Sequence, residues 1–255
     1  MGVADGSEWP RWTGLSRAVR AGGRVDRVEL KVLLDATLDE AAALLGDRVR
    51  SPLPRTVHYL DTPDLALARH GVIVRVRTPR SPEGRVLADV VVKVCGPSRR
   101  SRGLHRELDA LPGATRFSAS LARTRDAAAA GRALVAPRPA ARLLSRTQRA
   151  LVRSAAGGVV GDLDRLVVWG PVDTVRLRSR GGSDRVAVEL WRFPDGSSVV
   201  ELSAKCRPGR CGRVTRVLGQ LVADGQVRPC RRQRTKTQLA FRAFGSGADT
   251  AARTG

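Results

Sequence analysis

Residues 27–34 read Arg-Val-Glu-Leu-Lys-Val-Leu-Leu, and no other stretch limits the possible folds as much. The run is rich in apolar and β-branched residues and holds no breaker, which predicts a strand over 25–34. Side chains of a strand point alternately to opposite faces. Arg27, Glu29 and Lys31 therefore share one face, and Val28, Leu30 and Val32 share the other. The same charged parity recurs in six later runs. Arg75 and Arg77 fall in 72–77, Lys93 in 86–94, and His105 and Glu107 in 103–108. Arg176 and Arg178 fall in 174–179, Glu189 in 185–193, and Glu201 and Lys205 in 198–206. A sheet with one charged and one apolar face has two solutions. In an open sheet the charged face is solvated. In a closed barrel the charges point inward, helices cover the outside, and the interior can hold a ligand.

The remaining elements follow from punctuation. Thr37-Leu38-Asp39-Glu40 fits a capping box, followed by apolar residues at helical spacing: Leu38, Ala42, Leu45 and Val49. A strand is expected at 56–60, and Thr62-Pro63 opens a short helix that Gly71 closes. The 78–84 segment, Thr-Pro-Arg-Ser-Pro-Glu-Gly, reads as a hairpin loop. Residues 115–157 are dominated by alanine and arginine and are read as a helical insert. Strands resume at 164–170, and Pro194-Asp195-Gly196 predicts a tight hairpin between the last two. Helices are expected at 214–223 and 234–244. The resulting order, about eight short antiparallel strands with helices between them, is α+β and not a strand–helix alternation, and it fits either an open sheet or a closed barrel. Residues 1–24 are expected to be a flexible arm, 25–244 the folded domain, and 245–255 a flexible tail.

Charge narrows the function. Lysine and arginine number 46 against 24 acids, a net of +22. Such an excess predicts a polyanionic partner. Aromatic residues make up only 4%, which disfavours stacking platforms for single-stranded nucleic acid. Binding of nucleic acid by the basic surface is the less favoured reading. No apolar run approaches the ~20 residues of a membrane span, and residues 1–24 lack an apolar signal segment. A cytoplasmic protein with no membrane partner is expected. Cys95, Cys206, Cys211 and Cys230 have neither zinc-site spacing nor a nearby histidine.

The segment His-Tyr-Leu-Asp-Thr-Pro-Asp-Leu-Ala-Leu-Ala-Arg-His-Gly-Val-Ile-Val-Arg-Val-Arg at 58–77 resembles the signature of the CYTH superfamily, the triphosphate tunnel metalloenzymes. Tyr59, the Asp61-Thr62-Pro63 turn, Leu65, Leu67, Gly71, Arg75 and Arg77 carry the resemblance. Residues 27–31 resemble the family's Glu-x-Glu-x-Lys strand, and 200–205, Val-Glu-Leu-Ser-Ala-Lys, its later acidic strand. The resemblance implies an eight-stranded antiparallel β-barrel with helices packed outside, a tunnel lined by basic side chains that bind a phosphate chain, with carboxylates holding Mg²⁺ or Mn²⁺. It implies metal ligation by Glu29, Glu189 and Glu201. Lys31, Arg75, Arg77, Lys93, Arg176, Arg178, Lys205 and Lys236 would bind phosphate. Lys31 and Glu29 would act in catalysis. Two positions depart from the pattern: Arg27 stands where the first glutamate is expected, and Ser203 replaces a later acid.

The implied function is a metal-dependent phosphohydrolase acting on inorganic triphosphate, short polyphosphate or an organic triphosphate. The alternative is a tunnel that binds polyphosphate or a nucleotide without catalysis, and a further alternative is an adenylate cyclase. Chemistry agrees with a phosphate-chain ligand. Arginine forks match phosphate oxygens, and lysine supplies a movable charge. Other residues take blander readings. Tyr59 and Leu60 are core; His58 and His105 are hydrogen-bonded structural residues; Trp169 and Trp191 pack on the barrel exterior or rim. Arg99-Arg100-Ser101-Arg102 and Arg231-Arg232-Gln233-Arg234 are solvated loops or a funnel at the tunnel mouth.

Overall fold

The computed structural model describes residues 12, 14–21, 25–46, 49–80, 86–96, 103–136, 139–180 and 185–251. Nine strands close into a barrel. They are β1 (Arg27–Asp35), β2 (Leu53–Asp61), β3 (Val72–Pro79), β4 (Leu87–Cys95), β5 (His105–Leu111), β6 (Ala114–Asp126), β7 (Val167–Arg178), β8 (Arg185–Arg192) and β9 (Ser198–Cys206). Around the barrel they run β1-β5-β6-β4-β3-β2-β7-β8-β9, and β9 pairs back onto β1. The expected closed barrel is present, with one more strand than expected and one parallel pair, β1 beside β5. A two-residue β10 (Arg228–Pro229) pairs antiparallel with the end of β1 at Leu34 and Asp35.

Helices cover the outside in two layers. Val28, Leu30, Val32, Leu108, Val188 and Leu202 face outward against α1 (Leu15–Ala21), α2 (Leu38–Ala43) and α6 (Cys211–Asp224). Val72, Val74, Val76, Val90 and Val92 face α3 (Ala66–Arg69), α4 (Ala127–Val135) and α5 (Arg146–Ala156). Each fully buried side chain of this size contributes about 1.5–3 kcal/mol. Polar anchors fix the register. The expected Thr37–Glu40 capping box starts α2. Gln148 accepts from Ser145 N and donates to Val90 O and Leu121 O, which pins α5 across β4 and β6. Asp61, buried, accepts from the backbone N–H groups of Thr62, Leu67 and Ala68, so the Asp-Thr turn is a cap for α3. Gly71 leaves α3 at φ +72°, and a Cβ there would lie 3.2 Å from Cys95 O, so glycine alone fits without strain.

Three expectations about segments are corrected. The arm at 1–24 contains α1, whose Leu15 is buried against the barrel. The segment 115–157 is not wholly an insert. Its first part is β6, a 13-residue barrel strand. Arginine and alanine conceal its alternation, yet Phe117, Ala119 and Leu121 point outward, and Ser118, Ser120 and Ala122 point inward. The tail also starts later than expected, because α7 runs Lys236–Ala251. The 78–84 loop from residue 81 onward and the Arg99–Arg102 run lie outside the described residues. Among the described residues no helix is long and apolar enough to cross a membrane.

Helix α7 closes one end of the barrel. Its Ala240, Ala243 and Phe244 pack against Val57, Tyr59, Val172, Trp191 and Phe193. Tyr59 lies 5.0 Å from Phe241, and Trp169 stacks on Phe244 at 5.7 Å. Trp169 and Trp191 thus pack inside the plugged end and not on the exterior. Gln233 holds the entry to α7 by bonding both Leu33 N and Leu33 O of β1. The run at 231–234 is therefore anchored at its glutamine.

Candidate functional site

Above α7 the barrel encloses a cavity of about 710 Å³. Alternation along each strand aims its side chains, and cross-strand pairing sets their level. Arg176 faces Glu189, Glu189 faces Glu201, and Lys31 faces Ser203. Small residues on the inward parity (Ser120, Ala122, Ala187) leave room for the long charged ones. Eleven lysines and arginines line the cavity against five carboxylates.

The charges segregate. Adjacent strands β3, β2 and β7 carry Arg75, Arg77, Arg55, Arg176 and Arg178. Asp89 at the rim is 3.5 Å from Arg77 and 3.9 Å from Arg55. Arg75 beside it, together with burial, presses the Arg77 guanidinium down to about 9. The Nε atoms of Arg75, Arg77 and Arg176 are buried without a hydrogen-bond partner. Buried donors left unpaired cost about 1–3 kcal/mol each.

Strands β9, β1 and β5, across the cavity, carry carboxylates interleaved with lysines. Glu29, Glu107 and Asp109 bring one oxygen each within 4.8 Å of one another. Lys31 Nζ lies 2.9 Å from Glu29 and 2.6 Å from Asp109; Lys93 also bonds Asp109; Lys205 lies 2.8 Å from Glu107. Burial opposes the Lys31 charge, but Asp109 and Glu29 outweigh it and hold its pKa well above the usual lysine range. Burial likewise acts to raise Glu29, yet Lys31 and Lys205 keep it well below the usual carboxylate range. Both groups are charged at neutral pH. At the plugged end Lys236 bonds Glu189, sits 2.9 Å from Glu201, and lies 4.9 Å above the Trp191 ring.

The fold has solved counterparts. A candidate adenylyl cyclase from Hippeastrum, described as having a dominant triphosphatase activity, superposes with a TM-score of 0.63. It is 18% identical, over 86% of this chain and 95% of that one. A candidate adenylate cyclase from Bacillus halodurans gives a TM-score of 0.57 at 15% identity, over 85% and 98% of the two chains. No protein-family profile and no curated protein matches the sequence. The chain shares the fold of these two proteins, the closed barrel that the CYTH resemblance implies.

All eleven residues that the CYTH resemblance singled out line this one cavity: Glu29, Lys31, Arg75, Arg77, Lys93, Arg176, Arg178, Glu189, Glu201, Lys205 and Lys236. Their grouping differs from the expected metal set. Glu189 and Glu201 share Lys236, and Glu29 instead meets Glu107 and Asp109. Asp109 lies beyond the strand expected from the sequence, which ends at Leu108, three residues short of the observed end of β5 at Leu111. The alternation His105, Glu107, Asp109 was the available signal. Asp89 shares the parity of Lys93 and was equally visible. Arg27 shares the parity of Glu29 but is exposed at the strand's first residue and does not line the cavity. Ser203 is buried in the wall beside Lys31.

Three carboxylate oxygens in one place form the hard donor set that suits Mg²⁺ or Mn²⁺. Glu29, Glu107 and Asp109 fit such a cation, provided that Lys31, Lys93 and Lys205 release oxygens they now share. A phosphate chain would offer those lysines new partners.

Proposed function

We propose that the cavity binds the phosphate chain of inorganic triphosphate or a short polyphosphate and, with a divalent cation, hydrolyses it. The observation that carries this reading is the arginine wall, with its unpaired buried Nε donors, facing a carboxylate–lysine wall inside one closed cup. The Hippeastrum counterpart with a dominant triphosphatase activity supports it.

Phosphoryl transfer needs positioning and charge neutralisation more than covalent help. Arg75, Arg77, Arg176 and Arg178 would grip non-bridging oxygens in bidentate fashion. Lys31, protonated, cannot serve as a base; it would hold a phosphate oxygen or orient the attacking water. Lys93, Lys205 and Lys236 would spread the charge of the departing phosphate. Glu29, Glu107 and Asp109 would hold Mg²⁺ or Mn²⁺, which when bound neutralises phosphate charge. Water adds to phosphorus as the bridging P–O bond breaks, giving orthophosphate and pyrophosphate from triphosphate. Among the described lining residues the ring-bearing side chains are Trp191, at the plugged end beneath Lys236, and His105. The lining is otherwise dominated by charged side chains, which favours an inorganic chain over a nucleotide.

One observation favours the non-catalytic alternative: each carboxylate of the Glu29, Glu107 and Asp109 group already has a lysine partner. A single assay separates the readings. Incubation with tripolyphosphate, ATP or thiamine triphosphate, with and without Mg²⁺ or Mn²⁺, is followed for orthophosphate, pyrophosphate and cyclic nucleotide. The expected result is metal-dependent orthophosphate from tripolyphosphate, lowered at least about a hundredfold in Glu29→Gln, on the scale of one lost electrostatic contact. Tight tripolyphosphate binding without phosphate release would leave the binding module. Cyclic nucleotide as the main product would establish the cyclase.

A further inference from the structure

A basic cleft continues the cavity outward. It has a volume of about 530 Å³ and is lined by Arg50, Ser51, Leu53, Arg178 and Arg180. Arg50 and Arg178 also line the barrel cavity, so the two spaces meet there. Backbone contacts fix the junction. Arg50 N donates to Arg178 O at 2.8 Å, and Val49 bridges to Ser179. These contacts hold residues 49–51 along the end of β7 and crowd three arginines onto one edge.

No carboxylate lines the cleft among the described residues. Burial, then Arg176 and Arg55, press the Arg178 pKa down. Like charges packed this way repel, and an anion between them would relieve the repulsion. Topology supplies the direction. Helix α7 occupies the end of the barrel near Tyr59 and Trp191, and the cleft opens at the other end, beside Leu53 and Arg178. The cleft therefore lies beside the end of the cavity that α7 leaves uncovered.

We infer that the cleft is a second anion subsite, which takes the phosphates of a chain beyond those held in the barrel. The preferred ligand is then an inorganic polyphosphate longer than triphosphate, bound by one end. This rests on the reading of the barrel as a phosphate-chain site. An inorganic chain fits better than a 5′-triphosphorylated RNA, because among the described residues no aromatic side chain lines the cleft for a base to stack on.

Calorimetric titration of the full chain with tripolyphosphate, with a size-fractionated longer polyphosphate and with a 5′-triphosphorylated oligonucleotide tests the inference. The longer polyphosphate is expected to bind about tenfold more tightly than tripolyphosphate. Arg180→Ala should remove most of that advantage and leave tripolyphosphate affinity unchanged, because Arg180 lines only the cleft. Arg180→Glu should weaken the longer chain further. Equal affinity for both chain lengths overturns the subsite while the barrel reading stands, and so does an advantage that survives Arg180→Ala. An Arg180-dependent gain shown by the oligonucleotide and not by polyphosphate overturns it in favour of RNA. Failure of tripolyphosphate to bind at all overturns the barrel reading and the subsite together.

Discussion

Glu189 shows how buried charges hold this interior together. Burial acts to raise its carboxyl pKa, but Lys236 and Arg176 outweigh it and hold the group at about 2, against an ordinary value of 4.5. Above pH 4.5 both folded and unfolded states are ionised, and the folded state keeps the full benefit. Below it the unfolded chain takes up the proton first, so stability is lost as the pH falls from 4.5 toward 2. The shift corresponds to roughly 3 kcal/mol. Glu189→Gln should therefore lower stability by a few kcal/mol at pH 7 and flatten the acid limb; urea unfolding at pH 7, 5 and 3 measures both. An unchanged acid limb would remove Glu189 from the pair. At this scale the sequence was informative wherever strand parity decided. Parity puts Arg75 and Arg77 on one face of their strand, and Glu189 and Glu201 on the charged faces of theirs, without any structure. It fails at strand ends. Asp109 lay one residue beyond the expected end of β5, and Arg27 lies so near the start of β1 that its side chain reaches solvent. Which carboxylates meet depends on pairing between distant strands. The parallel β1–β5 contact that brings Glu29 to Glu107 and Asp109 has no local signal.

Among the elements, α7 matters most to the site. It turns a tunnel into a cup and delivers Lys236 to Glu189 and Glu201. Its apolar face was visible in the sequence, but its position inside the barrel was not, because an aromatic helix looks the same whether it covers a sheet or plugs one. Tyr59 and Trp191 lie on inward parity, and two large apolar residues among inward charges marked the level at which the interior turns dry. Phe244→Ala should cost about 3 kcal/mol through the cavity left among Tyr59, Trp169 and Phe241. Tripolyphosphate affinity should fall by less than about threefold, because the charged levels above are untouched. Unfolding and calorimetry on the same variant check this. A large loss of affinity with little loss of stability would instead mean that α7 touches the ligand directly. Strand β6 carries the opposite lesson. Its inward Ser118, Ser120 and Ala122 give the cavity its width, yet arginines at 123 and 125 and the alanines around them hid a strand that only closure of the barrel requires.

For the molecule as a whole, one arrangement accounts for both composition and fold. A closed barrel has no exposed sheet edge, and here two helical layers shield its apolar outside, which frees the interior for charge. That interior is bipolar. Among the described residues, the arginines on β3, β2 and β7 share the cavity with Asp89 and Glu189, and lysines on β1, β4 and β9 are matched with carboxylates. Like charges on the arginine wall repel, and a polyanion bound there would relieve the repulsion. The central claim is thus that a phosphate chain binds inside the barrel and stabilises the fold. Thermal denaturation with tripolyphosphate, against sulfate at equal total charge, tests it most directly. At about a hundredfold excess over Kd, tripolyphosphate should add about 2.7 kcal/mol, a rise in Tm of roughly 5–10 °C for a chain of this size. Sulfate should do little, and Arg75→Ala/Arg77→Ala should abolish most of the tripolyphosphate effect. Equal shifts from both anions, or a tripolyphosphate shift unchanged in the double variant, would contradict binding inside the barrel.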